Sequence, residues 1–130
     1  MEKLNCVLLV DDDKINNAIN ARLLESMGIT TNVRMALNGE EALLYLSKNC
    51  SPYDNNYPDL ILLDYQMPQM RGNEFMELFN QINSSQRHRS RIVMLSAFLT
   101  EDIKKQLLKL GVESYIAKPL TKEKLRKVLL

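Results

Sequence analysis

The chain has 130 residues, 25% of them charged, and a formal net charge of +1. That length suits one domain with a real core, expected to be a single unit over residues 1–130. The charge balance excludes the global basic footprint of a nucleic-acid or membrane-surface binder, and the apolar runs are far too short to span a bilayer. The opening MEKLN lacks the apolar stretch of a secretion signal. Cys6, at the start of an apolar run, and Cys50, in a polar loop, are therefore expected to be a buried and an exposed thiol, in a cytoplasmic protein.

Strand and helix patterns alternate five times. The first strand is expected at about 5–10. A helix follows from Asp13 or Lys14 to Met27, with Ile15, Ile19, Leu23 and Met27 on one face and Gly28 at its C-terminal end. The second strand covers about 30–36. Asn38-Gly39-Glu40-Glu41 supplies an N-cap with a Glu three residues on, opening the second helix. The third strand is 59–63. The third helix starts near Gly72 and turns Phe75, Leu78/Phe79 and Ile82 inward. The fourth strand is 91–95, and Thr100-Glu101-Asp102 caps a fourth helix that ends at Gly111. The fifth strand is 113–117. Thr121 caps a last helix to Leu130, with Leu125, Val128 and Leu129 facing in. Short apolar strands alternating with helices, joined by right-handed crossovers, predict a three-layer doubly wound α/β fold.

Four of the strands end in chemistry. Val7–Val10 runs into Asp11, Asp12 and Asp13; Leu60–Leu63 into Asp64; Ile92–Leu95 into Ser96; Tyr115–Ala117 into Lys118-Pro119. Ligands of such sheets bind beyond the carboxyl ends of the strands, so one edge would gather carboxylates, a hydroxyl and an ammonium. Two carboxylates about 5 Å apart repel by roughly 3 kcal/mol at an effective dielectric of about 20. Such a group shares protons or binds a hard cation, and oxygen ligands suit Mg²⁺. Asp13 by itself reads as a helix N-cap. The four glycines fall at helix boundaries, so there is no Gly-rich phosphate cradle, and the acids after the first strand would repel a nucleotide. The long loops 49–58 and 84–90 lead from helix to strand and belong at the opposite edge, with the lone His88 an exposed loop residue there. The basic stretch Lys118, Lys122, Lys124, Arg126 and Lys127 reads as a solvated face, apart from Lys118.

The pieces LLVDDD (8–13), DLILLDYQMPQMRG (59–72), IVMLSA (92–97) and YIAKPL (115–120) make the whole chain resemble a receiver domain of two-component response regulators. The resemblance implies a flavodoxin-like five-stranded parallel sheet of order 2-1-3-4-5 with five helices. It also implies that Asp64 is the phosphoacceptor, that Asp12 is a direct metal ligand with Asp64 and the Gln66 backbone carbonyl, and that Asp11 holds a metal-bound water. The metal is then Mg²⁺, with Mn²⁺ able to substitute. Ser96 and Lys118 would bind phosphoryl oxygens, and Tyr115 matches the switch aromatic. The Lys118–Pro119 peptide would be cis. Gln66 and Phe98 would flank the path of attacking water and set the lifetime of the phosphoprotein. Asn16 resembles receivers attached to hybrid sensor kinases. Arg71 departs from the Asp that often precedes the Gly of the family, with an effect expected on local charge.

What the resemblance implies is a phosphorelay signalling domain, not an enzyme acting on other molecules. Its partners are a sensor histidine kinase or histidine phosphotransfer protein, and a downstream protein that docks on the fourth helix, fifth strand and fifth helix, including Asp102, Lys105, Lys109, Tyr115 and Lys122. No direct nucleic-acid or membrane partner is expected. Two other readings use part of the same toolkit. An Asp-nucleophile, Mg²⁺-dependent phosphatase would need a late acidic pair and a cap, and no acidic pair follows Lys118. A receiver-like interaction module that is never phosphorylated would not need Asp12, Asp64, Ser96 and Lys118 together.

Overall fold

The computed structural model describes residues 3–49, 55–82 and 90–129. The elements run β1 (Val7–Val10), α1 (Lys14–Ser26), β2 (Val33–Ala36), α2 (Gly39–Lys48), β3 (Leu60–Asp64), α3 (Gly72–Gln81), β4 (Arg91–Ser96), α4 (Glu101–Lys109), β5 (Ser114–Ala117) and α5 (Lys122–Leu129). All strand pairs are parallel and their order is β2-β1-β3-β4-β5, the expected topology. Cys50, His88 and most of the two long loops lie outside the described residues, whereas Cys6 is buried as expected.

Two apolar layers share the sheet, because successive strand residues point to opposite faces. Leu8, Val10, Ile61, Leu63, Ile92 and Met94 face α2, α3 and α4, where they meet Leu46, Phe75, Phe79 and Leu107. Val7, Leu9, Leu60, Leu62, Val93 and Leu95 face α1 and α5, where they meet Ala21, Leu24 and Leu125. β1, β3 and β4 are buried on both sides, so their sequences are continuous apolar runs.

Turn chemistry sets the helix starts. Asp13 Oδ1 accepts from the amides of Ile15 (2.8 Å) and Asn16 (3.4 Å), the capping role expected of it. Asn38 Oδ1 accepts from Glu41 N at 2.7 Å and opens α2. Thr100 Oγ1 does the same for Ile103 N, and Thr121 Oγ1 for Lys124 N, both at 3.2 Å. After α1, Gly28 takes φ +69°, a left-handed value that costs glycine little.

Three expectations need correction. β2 starts at Val33, not near residue 30, because Thr30 Oγ1 accepts from Asn32 N at 3.0 Å and makes a local turn. On α1, Ile15 is 70% and Ile19 58% exposed, while Asn17, Ala21 and Leu24 are buried. A stripe with spacing four rotates by about 40° per step around the helix axis. Its C-terminal members Leu23 and Met27 are therefore half-buried, and its N-terminal members face solvent. On α3, Met76 is buried and Leu78 is 41% exposed, so the inward face is Phe75, Met76 and Phe79.

Replacing Asn38 with Ala should cost about 1 kcal/mol of stability through the orphaned Glu41 amide, whereas Asn38→Asp should cost little. Urea denaturation followed by circular dichroism measures both.

Candidate functional site

Strand order decides the site. β1 and β3 are neighbours, as are β3 and β4, and β4 and β5, so the residues just past their carboxyl ends meet in a row. Asp11 and Asp12 follow β1, Asp64 closes β3, Ser96 closes β4, and Lys118 follows β5. Carboxylate oxygens of Asp11, Asp12 and Asp64 lie within 4.8 Å of one another. Asp11 and Asp64 are buried and Asp12 is exposed, so the cluster opens to solvent on the Asp12 side.

Lys118 is the one cation whose ion pairs reach this cluster among the described residues. Its Nζ stands 3.0 Å from Asp64 Oδ1 and 3.8 Å from Asp11 Oδ2. Asp64 Oδ1 also accepts from Gln66 N (3.2 Å), and Asp11 Oδ1 from Asp13 N (2.9 Å). Asp11 Oδ2 is buried with no hydrogen-bond partner. Burial raises the pKa of both Asp11 and Asp64. For Asp64 the strongest opposing influence is Lys118, and for Asp11 it is the Asp13 amide. Three acids around one ammonium leave an excess of negative charge, and an orphaned buried oxygen faces Lys118. That donor set fits a hard divalent cation bound by oxygen.

The groove beside Asp12 is lined by Gln66, Met67, Gln69, Met70, Arg71 and Glu74. Arg71 thus adds positive charge next to the acidic cluster, while its amide donates to Glu74 Oε1 at 3.4 Å. The Lys118–Pro119 peptide is cis, as expected. Gln66 is exposed, so its side chain is open to solvent.

Ser96 and Tyr115 are both engaged elsewhere. The Ser96 hydroxyl donates to Phe98 O (2.9 Å) and accepts from Phe98 N (3.2 Å). Tyr115 donates its hydroxyl to Lys104 O at 2.7 Å, and the Lys104 ammonium lies 5.9 Å from the centre of its ring. Burial, then the charge of Glu101, raises the Tyr115 pKa. Both residues line one open cleft between the β4–α4 loop and β5. Phe98, on the rim of that cleft, is 77% exposed, so its ring does not cover the start of α4.

Two residues beside this site stand out in the structure and not in the sequence pattern around them. Lys124, half-buried on the basic face, does more than meet solvent: its Nζ donates to Ala117 O (2.8 Å) and Pro119 O (3.0 Å), the carbonyls on either side of Lys118. The Thr121 cap foreshadows this, because helical side chains lean toward the N-terminus and Lys124 sits one turn in. Asn17 is buried against the end of β1.

Carboxyls with raised pKa values bind protons more tightly folded than unfolded. The folded chain then holds more protons through that window, so stability falls as pH rises through it. In chelator, the melting temperature should therefore drop as pH climbs from the ordinary carboxylate range toward the raised values. Asp11→Asn should melt higher than the wild type at neutral pH and respond less to pH. Thermal melts at a series of pH values check both.

Comparison with known proteins agrees with the geometry. Residues 7–130 match the family model of the response regulator receiver domain. The Two-component response regulator 24 of Arabidopsis thaliana is 34% identical over 122 residues, which are 94% of this chain and 79% of that protein. The osmosensing histidine protein kinase SLN1 of Saccharomyces cerevisiae is 30% identical over 95% of this chain, and the signal transduction histidine-protein kinase BarA of Escherichia coli is 32% identical over 95%. The chain spans only 10% and 12% of the length of those two kinases. Among solved structures, a two-component response regulator from Cytophaga hutchinsonii superposes with a TM-score of 0.86 at 26% identity, covering 98% of this chain and 96% of that one. The chemotaxis protein CheY4 of Vibrio cholerae gives 0.79 at 28%, covering 97% and 96%. By sequence and by fold, the chain belongs to the response regulator receiver domain family.

Proposed function

We propose that this domain accepts a phosphoryl group on Asp64 from a phosphohistidine of a sensor kinase or phosphotransfer protein, and that the product switches a docking face. The observation that carries the reading is the buried Asp64 carboxylate, 3.0 Å from Lys118 and within 4.8 Å of two further acids. Histidine kinases among the relatives support the donor class.

Asp64 Oδ1 already holds Lys118 and the Gln66 amide, which leaves Oδ2 as the nucleophile. Oδ2 attacks phosphorus, the phosphorus–nitrogen bond breaks, and the imidazole leaves with the bonding pair. Lys118 keeps hold of the acceptor and takes a phosphoryl oxygen as charge moves onto it. Asp12, Asp64 and the Gln66 carbonyl would hold Mg²⁺ (or Mn²⁺), with Asp11 on its water, and the ion supplies neutralisation of the phosphoryl oxygens when bound. Ser96 gives up the Phe98 backbone to bond the new phosphoryl group. Tyr115 gives up Lys104 O and turns into the space that Ser96 vacates. The face made by α4, β5 and α5 is the two-state element that these moves bias. The domain turns over no external substrate; it catalyses only its own phosphorylation and dephosphorylation. The setting is the cytoplasm, and no helix among the described residues is long and apolar enough to cross a membrane.

Acetyl phosphate with Mg²⁺ should add one phosphoryl group to the wild type, read as intact mass, and none to Asp64→Asn or to protein in chelator. Lys118→Met should slow the labelling by about a hundredfold, the usual cost of losing one preorganised charge-stabilising donor. Undiminished labelling of Asp64→Asn would refute the assignment.

Gln66 and Phe98 flank the expected path of the attacking water, and the Phe98 ring carries no group that activates water. Self-dephosphorylation should therefore be slow, and faster in Phe98→Asn and Phe98→Glu. Timed decay of labelled protein decides this, and equal or slower decay in both variants would show that Phe98 is no shield.

A further inference from the structure

We infer that Asn17 is a positioning residue that fixes the acidic end of β1 for cation binding. The inference rests on reading Asp11 and Asp12 as half of the phosphoryl site. Asn17 is 2% exposed, on the inner face of α1 with Ala21 and Leu24. Its Nδ2 donates to Asp11 O (3.0 Å), just past the end of β1, and to Ala36 O (3.3 Å), the last carbonyl of β2. Its backbone amide donates to Asp13 O at 3.1 Å. The side chain thus holds the Asp11 end of the acidic segment and ties it to the neighbouring strand, while the bond to Asp13 O is the first backbone turn of α1, made whatever side chain stands at 17. Turning the side-chain amide over would set Oδ1 against two carbonyl oxygens, so the donor assignment is forced by its partners.

Packing alone does not account for an asparagine here. Its Oδ1 is buried with no hydrogen-bond partner, a cost that leucine, of similar volume, would avoid at a position facing Ala21 and Leu24. The gain lies in the geometry of the acids. Asp11 Oδ1 is fixed by the Asp13 amide, and the Asp11 carbonyl is fixed by the Asn17 side chain. With Asn17 in place, mutually repelling carboxylates are held together before a cation arrives. Without it, the segment is free to splay them apart, and the cation must pay to gather them.

The test uses the whole chain. Metal-free wild type, Asn17→Leu and Asn17→Ala are compared by amide hydrogen exchange and then titrated with Mg²⁺ by NMR. Leu46→Ala, a buried change on α2, serves as a control for general destabilisation. In the metal-free Asn17 variants, exchange of the Asp13 amide should quicken more than that of the β3 amides. Their Mg²⁺ dissociation constant should rise by about tenfold, the lower end for losing a group that orients a metal ligand. The control should keep the wild-type constant. In the wild type itself, the Asn17 side-chain amide protons should shift and exchange more slowly on Mg²⁺ binding, a readout that needs no variant to fold. An unmoved Asn17 signal, unchanged affinity in the variants, or an equal loss in Leu46→Ala overturns the inference. Wild type that binds no Mg²⁺ defeats the proposed function, and this inference with it.

Discussion

Two buried carboxylates sharing one ammonium, with a third acid beside them at the edge of a parallel sheet, are the constraint on which the rest of the molecule turns. Folding brings Asp11 and Asp64 out of water and close to each other, with Lys118 the one cation paired to them among the described residues. At an effective dielectric of about 20, each unneutralised pair about 5 Å apart opposes folding by roughly 3 kcal/mol. The two apolar layers must absorb that cost, and they do so where the strands run continuous and buried on both faces. β1, β3 and β4 thus serve both as the most buried elements and as the carriers of the acids and the hydroxyl. A rigid base for a repulsive cluster is what a cation site needs, because the ligands are then gathered at the expense of folding and not of binding.

The same arrangement explains why so much was legible in the sequence. Strands buried on both sides are uninterrupted apolar runs, and a polar residue at the end of each run marks where the strand leaves the core. Asp11, Asp64, Ser96 and Lys118 are therefore legible as residents of one edge from the sequence itself. Caps were equally plain at Asp13, Asn38, Thr100 and Thr121, since each pairs a short polar side chain with a nearby backbone amide.

What could not be read has a common physical origin: it depends on rotation about a helix axis or on the reach of one side chain. Ile15 and Ile19 share a stripe with Leu23 and Met27, but the stripe winds, and only the fit of α1 on the sheet decides which part is covered. Asn17 breaks no pattern as a lone polar residue in a helix that also holds Asn16 and Asn20. Its role appears only once β1 and β2 end beside it. Lys124 sits in a run of basic residues and differs from its neighbours only in what lies within reach of its ammonium.

The partition of the core into two layers has a mechanical corollary. α4 packs on one face of the sheet and α5 on the other, so they belong to different cores. Between them runs β5, an edge strand with a single neighbour. A surface assembled from α4, β5 and α5 is therefore a seam, where two separately packed layers meet along one edge strand. Interlocked side chains resist shear within either layer, but along a seam fewer of them stand in the way. Tyr115 packs against the core on the α4 side while its neighbour Ile116 is buried in the core on the α5 side, so a displacement of Tyr115 along that strand would be felt on both faces of the sheet.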